Sequence, residues 1–74
     1  MIFDTSFLVA FFMPEDELHS QALIKIKEFN KFILLNTVLE ETFTVLCYKK
    51  GVNHAIESIQ KLKNNKDIIM YNLS

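Results

Sequence analysis

Apolar and polar positions in the first half of the chain predict a short strand followed by two helices. Residues 1–5 are typical of a buried strand, and Ser6 is placed to cap a helix that carries the apolar run to Met13. Pro14 ends that helix and fits the first turn of a second one, in which apolar residues recur at helical spacing to about Asn30. This half is therefore predicted to be strand, helix, helix.

The second half of the chain is predicted to have the same order of elements, strand, helix, helix, followed by a third strand. Residues 32–35 are a continuous apolar run, too short for a helix and typical of a strand buried on both faces. A helix is expected over 38–50, ended by Gly51 in a left-handed conformation, and another over about 53–65. The apolar segment 67–72 is then the third strand.

This order of elements, without a hairpin turn, predicts parallel strands joined by right-handed helical crossovers. The predicted fold class is α/β, a three-layer type of parallel sheet flanked by helices, with about three strands and four helices. We expect residues 1–74 to form one domain, since neither a linker nor a repeat divides the chain.

The amount of apolar surface is large for so small a chain. It has 74 residues, of which 50% are hydrophobic, and a core of this size cannot hide all of them. Domains in this size range are marginally stable and often gain from oligomerisation. We therefore expect association with a second copy of the chain or with another protein.

The charge of the chain narrows the classes of function that it can have. With nine acidic residues, eight lysines and a net charge of -1, the chain lacks a basic nucleic-acid-binding footprint. A nuclease stays possible, because a bound metal ion can supply the positive charge that meets phosphate. The lysines at 49–50 and 61–66 are most simply solvated helix faces, with RNA contact as the alternative.

The compartment expected from the sequence is the cytoplasm. Cys47 is the only cysteine, which leaves no disulfide framework and favours a reducing compartment. The apolar run 7–13 is far shorter than the ~20 residues that span a bilayer, and no basic segment precedes it as in a signal peptide. We therefore expect neither a membrane segment nor export.

Two acidic residues are the candidates for chemistry. Asp4 follows the first predicted strand and Glu41 lies in the helix after the second, so both are expected at the carboxyl edge of a parallel sheet. Two convergent carboxylates suit Mg²⁺, which binds one or two carboxylates together with water and substrate phosphate. The alternative is that Asp4 only caps a helix and Glu41 is only solvated.

Helix capping is expected to separate Glu41 from its neighbour Glu40. Thr37 and Glu40 have the spacing of a capping box, in which each side chain bonds a backbone amide of the first turn. Glu41, about 100° further round the helix, is then left to face the sheet edge.

Other common sites are absent from the sequence. His19 and His54 lack metal-ligand spacing to Cys47 or to each other, so they are expected to be packing or surface residues. With a single glycine, the chain contains no phosphate-binding loop and no nucleophile elbow.

Three segments resemble a known family: MIFDTSFLVAFF at 1–12, DELHSQA at 16–22 and TVLEETFTVLCYKKG at 37–51. Together they resemble the N-terminal half of PIN-domain proteins, particularly VapC-type toxin ribonucleases and their archaeal relatives. The resemblance implies a metal-dependent endoribonuclease that uses Mg²⁺ or Mn²⁺ to hydrolyse RNA, with an antitoxin as a possible protein partner.

By position, the resemblance makes Asp4 the first acidic ligand, Ser6 the polar residue that supports it, and Glu41 the second acid. The third and fourth acids of the family lie in a later segment that has no counterpart here. Asp67 precedes the third strand, at the wrong end of the sheet, and does not replace them.

The resemblance also has a structural consequence. A truncated sheet leaves its first strand as an edge with uncovered apolar faces, and such edges are usually resolved by pairing. We therefore expect a homo-oligomer or a complex with a partner. The alternative functions are a non-catalytic remnant that associates with itself or a partner, and a small α/β domain with no ligand at this edge.

Overall fold

A computed structural model describes residues 1–73, which form four helices and a small parallel sheet. The elements in chain order are α1 (Thr5–Phe12), α2 (His19–Ile26), β1 (Phe32–Leu35), α3 (Asn36–Lys50), α4 (Val52–Lys63) and β2 (Ile68–Tyr71). The α/β class, the four helices and the parallel pairing predicted from the sequence are confirmed. No helix in the described part of the chain combines the length and apolar character needed to cross a membrane.

The sheet is built from two strands and a shorter third segment. β1 and β2 pair in parallel with Phe32 opposite Ile68, and Ile2 forms a single parallel bridge to Ile33. The Phe3 amide donates to the Ile33 carbonyl at 2.9 Å, and the Ile33 amide donates to the Met1 carbonyl at 2.8 Å. The predicted strand at 1–5 is thus shortened to about residues 1–3, because α1 already begins at Thr5. Within residues 1–73 this segment pairs on one side only, with β1.

The main core lies on one face of this sheet. Phe3, Phe32 and Leu34 point to that face, and the rings of Phe3 and Phe32 stack with centroids 5.0 Å apart. All four helices contribute apolar side chains to the same cluster, among them Leu8 of α1 and Leu62 of α4. Residues 1–73 therefore build the sheet and the helical layer on one of its faces.

A second cluster fills the space between the helices. It consists of Val9, Met13, Leu46 and Ala55, and Cys47 packs against it half-buried. In this position Cys47 serves as a small apolar packing residue.

The second helix is shorter than predicted. It was expected from Pro14 to about Asn30, but α2 spans only His19–Ile26 and the residues before it form turns. The Asp16 carboxylate accepts from the Leu18 amide at 2.8 Å, which holds the backbone in a turn that competes with a helix.

An ion pair secures this turn to the far end of α3. The Lys50 ammonium lies 3.1 Å from the Glu15 carboxylate. The hydrogen bond from Lys50 holds the pKa of Glu15 below its ordinary value. Because Glu15 is exposed to solvent, we assign this pair a positioning role and little stability.

One glycine joins α3 to α4. Gly51 has φ 94° and ψ 164°, so the predicted positive φ is confirmed, although ψ is extended and not left-handed helical. Its amide donates to the Cys47 carbonyl at 3.0 Å, which ends α3, and its carbonyl accepts from Ala55, which starts α4. A connection of one residue between these two helices requires a positive φ, and glycine adopts a positive φ without steric cost.

We predict that Leu34→Ala lowers the free energy of unfolding by about 2–5 kcal/mol, because it opens a cavity where every helix meets the sheet. Urea denaturation followed by circular dichroism measures this loss. Ile24→Ala is the matched control, since Ile24 is 63% exposed, and it should change stability by less than about 0.5 kcal/mol. Equal losses in the two variants would contradict this description of the core.

Candidate functional site

Asp4 lies where the edge segment turns into α1, and its carboxylate caps that helix. Its backbone is extended, and Oδ1 accepts a hydrogen bond of 2.7 Å from the Phe7 amide. The prediction that Ser6 is the cap is therefore wrong, because Ser6 already belongs to the first turn of α1. The Asp4 carboxylate is exposed, and its second oxygen is available to a ligand.

Glu41 lies on α3, whose start differs from the prediction. The helix begins at Asn36, directly after β1, and no side chain caps it. The predicted capping box of Thr37 and Glu40 is wrong, because Thr37 already lies inside the helix. Glu40 and Glu41 are both exposed, so capping does not distinguish them.

The early start of α3 gives Asn36 a different role. Its side-chain oxygen accepts from the Leu73 amide at 2.9 Å, just beyond the end of β2. This bond joins the carboxyl ends of β1 and β2 at the edge where Asp4 also lies.

Asp4 and Glu41 line two different surface hollows, and a third hollow shares lining residues with each of them. A hollow of about 350 Å³ contains Asp4 and Ser6. A second hollow of about 390 Å³ shares Ser6 with the first and also contains Val45. A third of about 500 Å³ shares Val45 and contains Glu40 and Glu41. We call this surface the carboxylate groove, and it runs across α1 and α3.

The middle of the carboxylate groove contains charged residues that sequence reasoning did not assign to a site. Asp16, Glu17 and Lys49 line the middle hollow, and Lys25 lines the same hollow as Asp4. Asp16 and Glu17 were expected in the first turn of a helix, and the turn made by Asp16 brings them to the groove instead. Asp often accepts a hydrogen bond from the backbone amide two residues further on and so favours a turn. Asp16 was therefore the residue in the sequence that could have indicated this turn.

The acidic side chains of the carboxylate groove determine how a divalent ion would fit there. Asp4 and Glu41 offer exposed carboxylate oxygens, the type of ligand that Mg²⁺ and Mn²⁺ prefer. Within residues 1–73, no group of three His, Cys, Asp or Glu side chains is arranged to hold a metal ion. The residues therefore fit an open site that relies on water and substrate phosphate, and they do not fit a closed cage of protein ligands.

The remaining candidates lie away from the carboxylate groove or have structural roles. His19 Nδ1 donates to the Ala10 carbonyl at 2.8 Å and ties α2 to α1, in agreement with a packing role. Asp67 precedes β2 and lies 3.4 Å from the Lys31 ammonium. The prediction that Asp67 lies at the opposite end of the sheet from Asp4 is confirmed.

Comparison with known proteins defines the fold. No family model and no curated protein matches the chain. Among solved structures, the chain is similar to VapC20 of Mycobacterium tuberculosis, described as a sarcin-ricin loop cleaving toxin, with a TM-score of 0.88 and 24% sequence identity. The match covers 100% of this chain and 58% of that one. The chain thus has the fold of part of a VapC toxin, which confirms the VapC-type PIN fold predicted from the sequence.

We predict that Asp4→Ala destabilises the protein by about 1 kcal/mol and that Asp4→Asn leaves its stability nearly unchanged. Asparagine accepts the Phe7 amide as well as aspartate does, whereas alanine leaves that amide without its cap. Thermal unfolding of both variants measures the difference. If the two were equally unstable, the carboxylate charge and not the cap would account for the loss.

Proposed function

We propose that this chain is the N-terminal part of a metal-dependent endoribonuclease of the toxin type. Asp4 and Glu41 would be its first two metal ligands, with Ser6 supporting Asp4. What supports the proposal is that two exposed acids follow the carboxyl ends of neighbouring parallel strands, in a chain with the fold of a protein described as a sarcin-ricin loop cleaving toxin.

The chemistry proposed is hydrolysis of an RNA phosphodiester. A bound Mg²⁺ or Mn²⁺ would neutralise phosphate charge and lower the pKa of a coordinated water. Asp4 would contribute its second oxygen, since the first is held by the helix cap. Glu41, on α3, would contribute a carboxylate oxygen to the same ion.

Two lysines of the carboxylate groove could contact the phosphates of RNA. Lys25, which lines the same hollow as Asp4, and Lys49, in the middle hollow, are cations that each suit one phosphate. We propose RNA as the substrate, an antitoxin protein as the partner and the cytoplasm as the location. A lone half-buried cysteine is compatible with that compartment.

A second candidate function is a non-catalytic module that associates with itself or a partner. Two observations favour it: within residues 1–73 no group of three His, Cys, Asp or Glu side chains is arranged to hold a metal ion, and the first segment pairs on one side only. A metal titration distinguishes the two functions, because a binding module has no use for an ion at Asp4.

We predict that Mn²⁺ binds the wild-type chain weakly and that Asp4→Asn weakens this binding at least about tenfold, through loss of one carboxylate ligand. Isothermal titration calorimetry provides the measurement. Asp4→Asn is chosen because asparagine keeps the helix cap, so a loss of binding reports the ion and not unfolding.

Glu41→Gln and Glu40→Gln form the matched pair for the second ligand. They are adjacent, exposed and line the same hollow, and only Glu41→Gln should weaken Mn²⁺ binding. Cleavage of a sarcin-ricin loop RNA and of an unstructured RNA with and without Mn²⁺ completes the test. Identical heats for the wild type and Asp4→Asn would overturn the nuclease proposal and favour the binding module.

A further inference from the structure

The most exposed aromatic side chain of residues 1–73 lies on α3, the helix that carries Glu41. Tyr48 is 93% exposed, so almost the whole of its ring is open to solvent. Aromatic rings stabilise a protein when they are buried, and this one makes no contribution of that kind. The ring of Tyr48 therefore has no part in the core and is free to contact a ligand.

Helix geometry places Tyr48 on the same side of α3 as Glu41. The two residues are seven positions apart in one helix, a rotation of about 700°, which returns to within about 20° of the starting direction. Thr44 and Val45, one turn before Tyr48, line the same hollow as Glu41. The Cα–Cβ bonds of a helix tilt toward its amino end, so the Tyr48 side chain leans toward that hollow.

A cation lies next to this ring. Lys49 follows Tyr48 and lines the middle hollow of the carboxylate groove. Within residues 1–73 the Lys49 ammonium forms no ion pair, whereas the Lys50 ammonium lies 3.1 Å from the Glu15 carboxylate. Proteins that bind single-stranded nucleic acid combine cations, which contact the backbone, with exposed aromatic rings, on which bases stack. Tyr48 and Lys49 provide one of each.

The surroundings of Tyr48 favour a base over an apolar protein surface. Glu41, Thr44 and Lys49 are all exposed beside it or along the same side of α3. An aromatic anchor in a protein interface is surrounded by contacts that exclude water, and excluding water from these polar and charged groups costs free energy. A base stacked on the ring leaves them in contact with water and phosphate.

The exposure of Tyr48 is separate from the sheet face that carries no helix within residues 1–73. α3 belongs to the helical layer on the Phe32 face. Strand pairing runs from residues 1–3 to β1 and then to β2. A strand added beyond residues 1–3 would reverse this direction, so a right-handed crossover to it would pass over the opposite face. Such a crossover leaves the outer side of α3 open.

We propose that Tyr48 stacks on an unpaired base of RNA and positions the strand along α3 toward Glu41. The proposal rests on the RNA substrate proposed above and names its class as single-stranded or looped RNA, because the bases of a duplex are not available for stacking on a side chain. The rise from Glu41 to Tyr48 is about 10.5 Å. At roughly 3.4 Å for each stacked nucleotide, the stacked base lies about three nucleotides from a phosphate at Glu41.

Tyrosine fluorescence tests the contact directly, since the chain contains two tyrosines and no tryptophan. Tyr71→Phe leaves Tyr48 as the sole emitter, and Tyr48→Phe leaves Tyr71, which is 59% exposed. A single-stranded RNA of about 12 nucleotides should quench the first protein and not the second. The same RNA paired with its complement should quench neither. N-acetyltyrosinamide corrects for light absorbed by the RNA.

The affinity for the same single strand, labelled with a dye and followed by fluorescence anisotropy at roughly 50 mM salt, provides the second measurement. It is made in EDTA, which keeps the RNA uncut, and again in Mg²⁺. Tyr48→Leu should weaken binding at least about fivefold, because leucine is apolar but has no ring on which a base can stack. Tyr48→Phe should bind like the wild type. Tyr71→Leu is the matched control and should leave the affinity unchanged.

The outcomes separate this proposal from the nuclease proposal. Equal affinities of the wild type and Tyr48→Leu, or equal quenching of Tyr48 by the single strand and the duplex, overturn this proposal and leave the metal site untouched. Quenching of Tyr48 in a chain whose Mn²⁺ binding is unchanged by Asp4→Asn overturns the nuclease proposal alone. A wild type that binds neither RNA in EDTA or in Mg²⁺ overturns both the stacking and RNA as the substrate.

Discussion

Parallel pairing around β1 is the constraint on which the rest of the structure depends. Ile33 bonds the edge segment on one side, and β1 as a whole pairs with β2 on the other. Parallel strands must be joined by long crossovers, and here each crossover is a pair of helices. The same pairing brings the carboxyl ends of the strands to one edge, where Asp4, Asn36 and Glu41 follow them. The core and the candidate site are thus two results of one arrangement.

Asp4 shows how a structural role and a functional one can share a side chain. One oxygen satisfies the Phe7 amide at the start of α1, and the other faces a groove open to solvent. The cap fixes the carboxylate in place, which lowers the entropy that a bound ion would otherwise have to remove. The alternative that Asp4 only caps and the proposal that it binds metal are therefore compatible.

Local sequence patterns predicted the elements well and the boundaries less well. The four helices and the 32–35 strand follow from the spacing of apolar residues along the chain. The positive φ of Gly51 follows from the ease with which glycine adopts that conformation. The errors arose where several polar residues compete for the same amides. Asp4 took the cap expected of Ser6, and Asp16 held a turn where a helix was expected. Such competition depends on a few tenths of a kcal/mol and on tertiary contacts that the sequence does not display.

The candidate site was predictable in part. Strand order alone predicts Asp4 and Glu41 at one edge, but the grouping of Asp16, Glu17 and Lys49 in one hollow depends on how the turn after α1 packs. The register that brings Ile2, Ile33 and Ile69 side by side across the sheet is provided only by the structure.

The junction between β1 and α3 has a consequence for how this sequence can change in length. The strand ends at Leu35 and the helix begins at Asn36, with no loop between them. One residue inserted there would turn α3 by about 100° relative to the sheet and carry Glu41 out of the carboxylate groove. The segment between α2 and β1 has several residues outside regular structure that can absorb such a change. Insertions and deletions should therefore be tolerated before β1 and excluded after it.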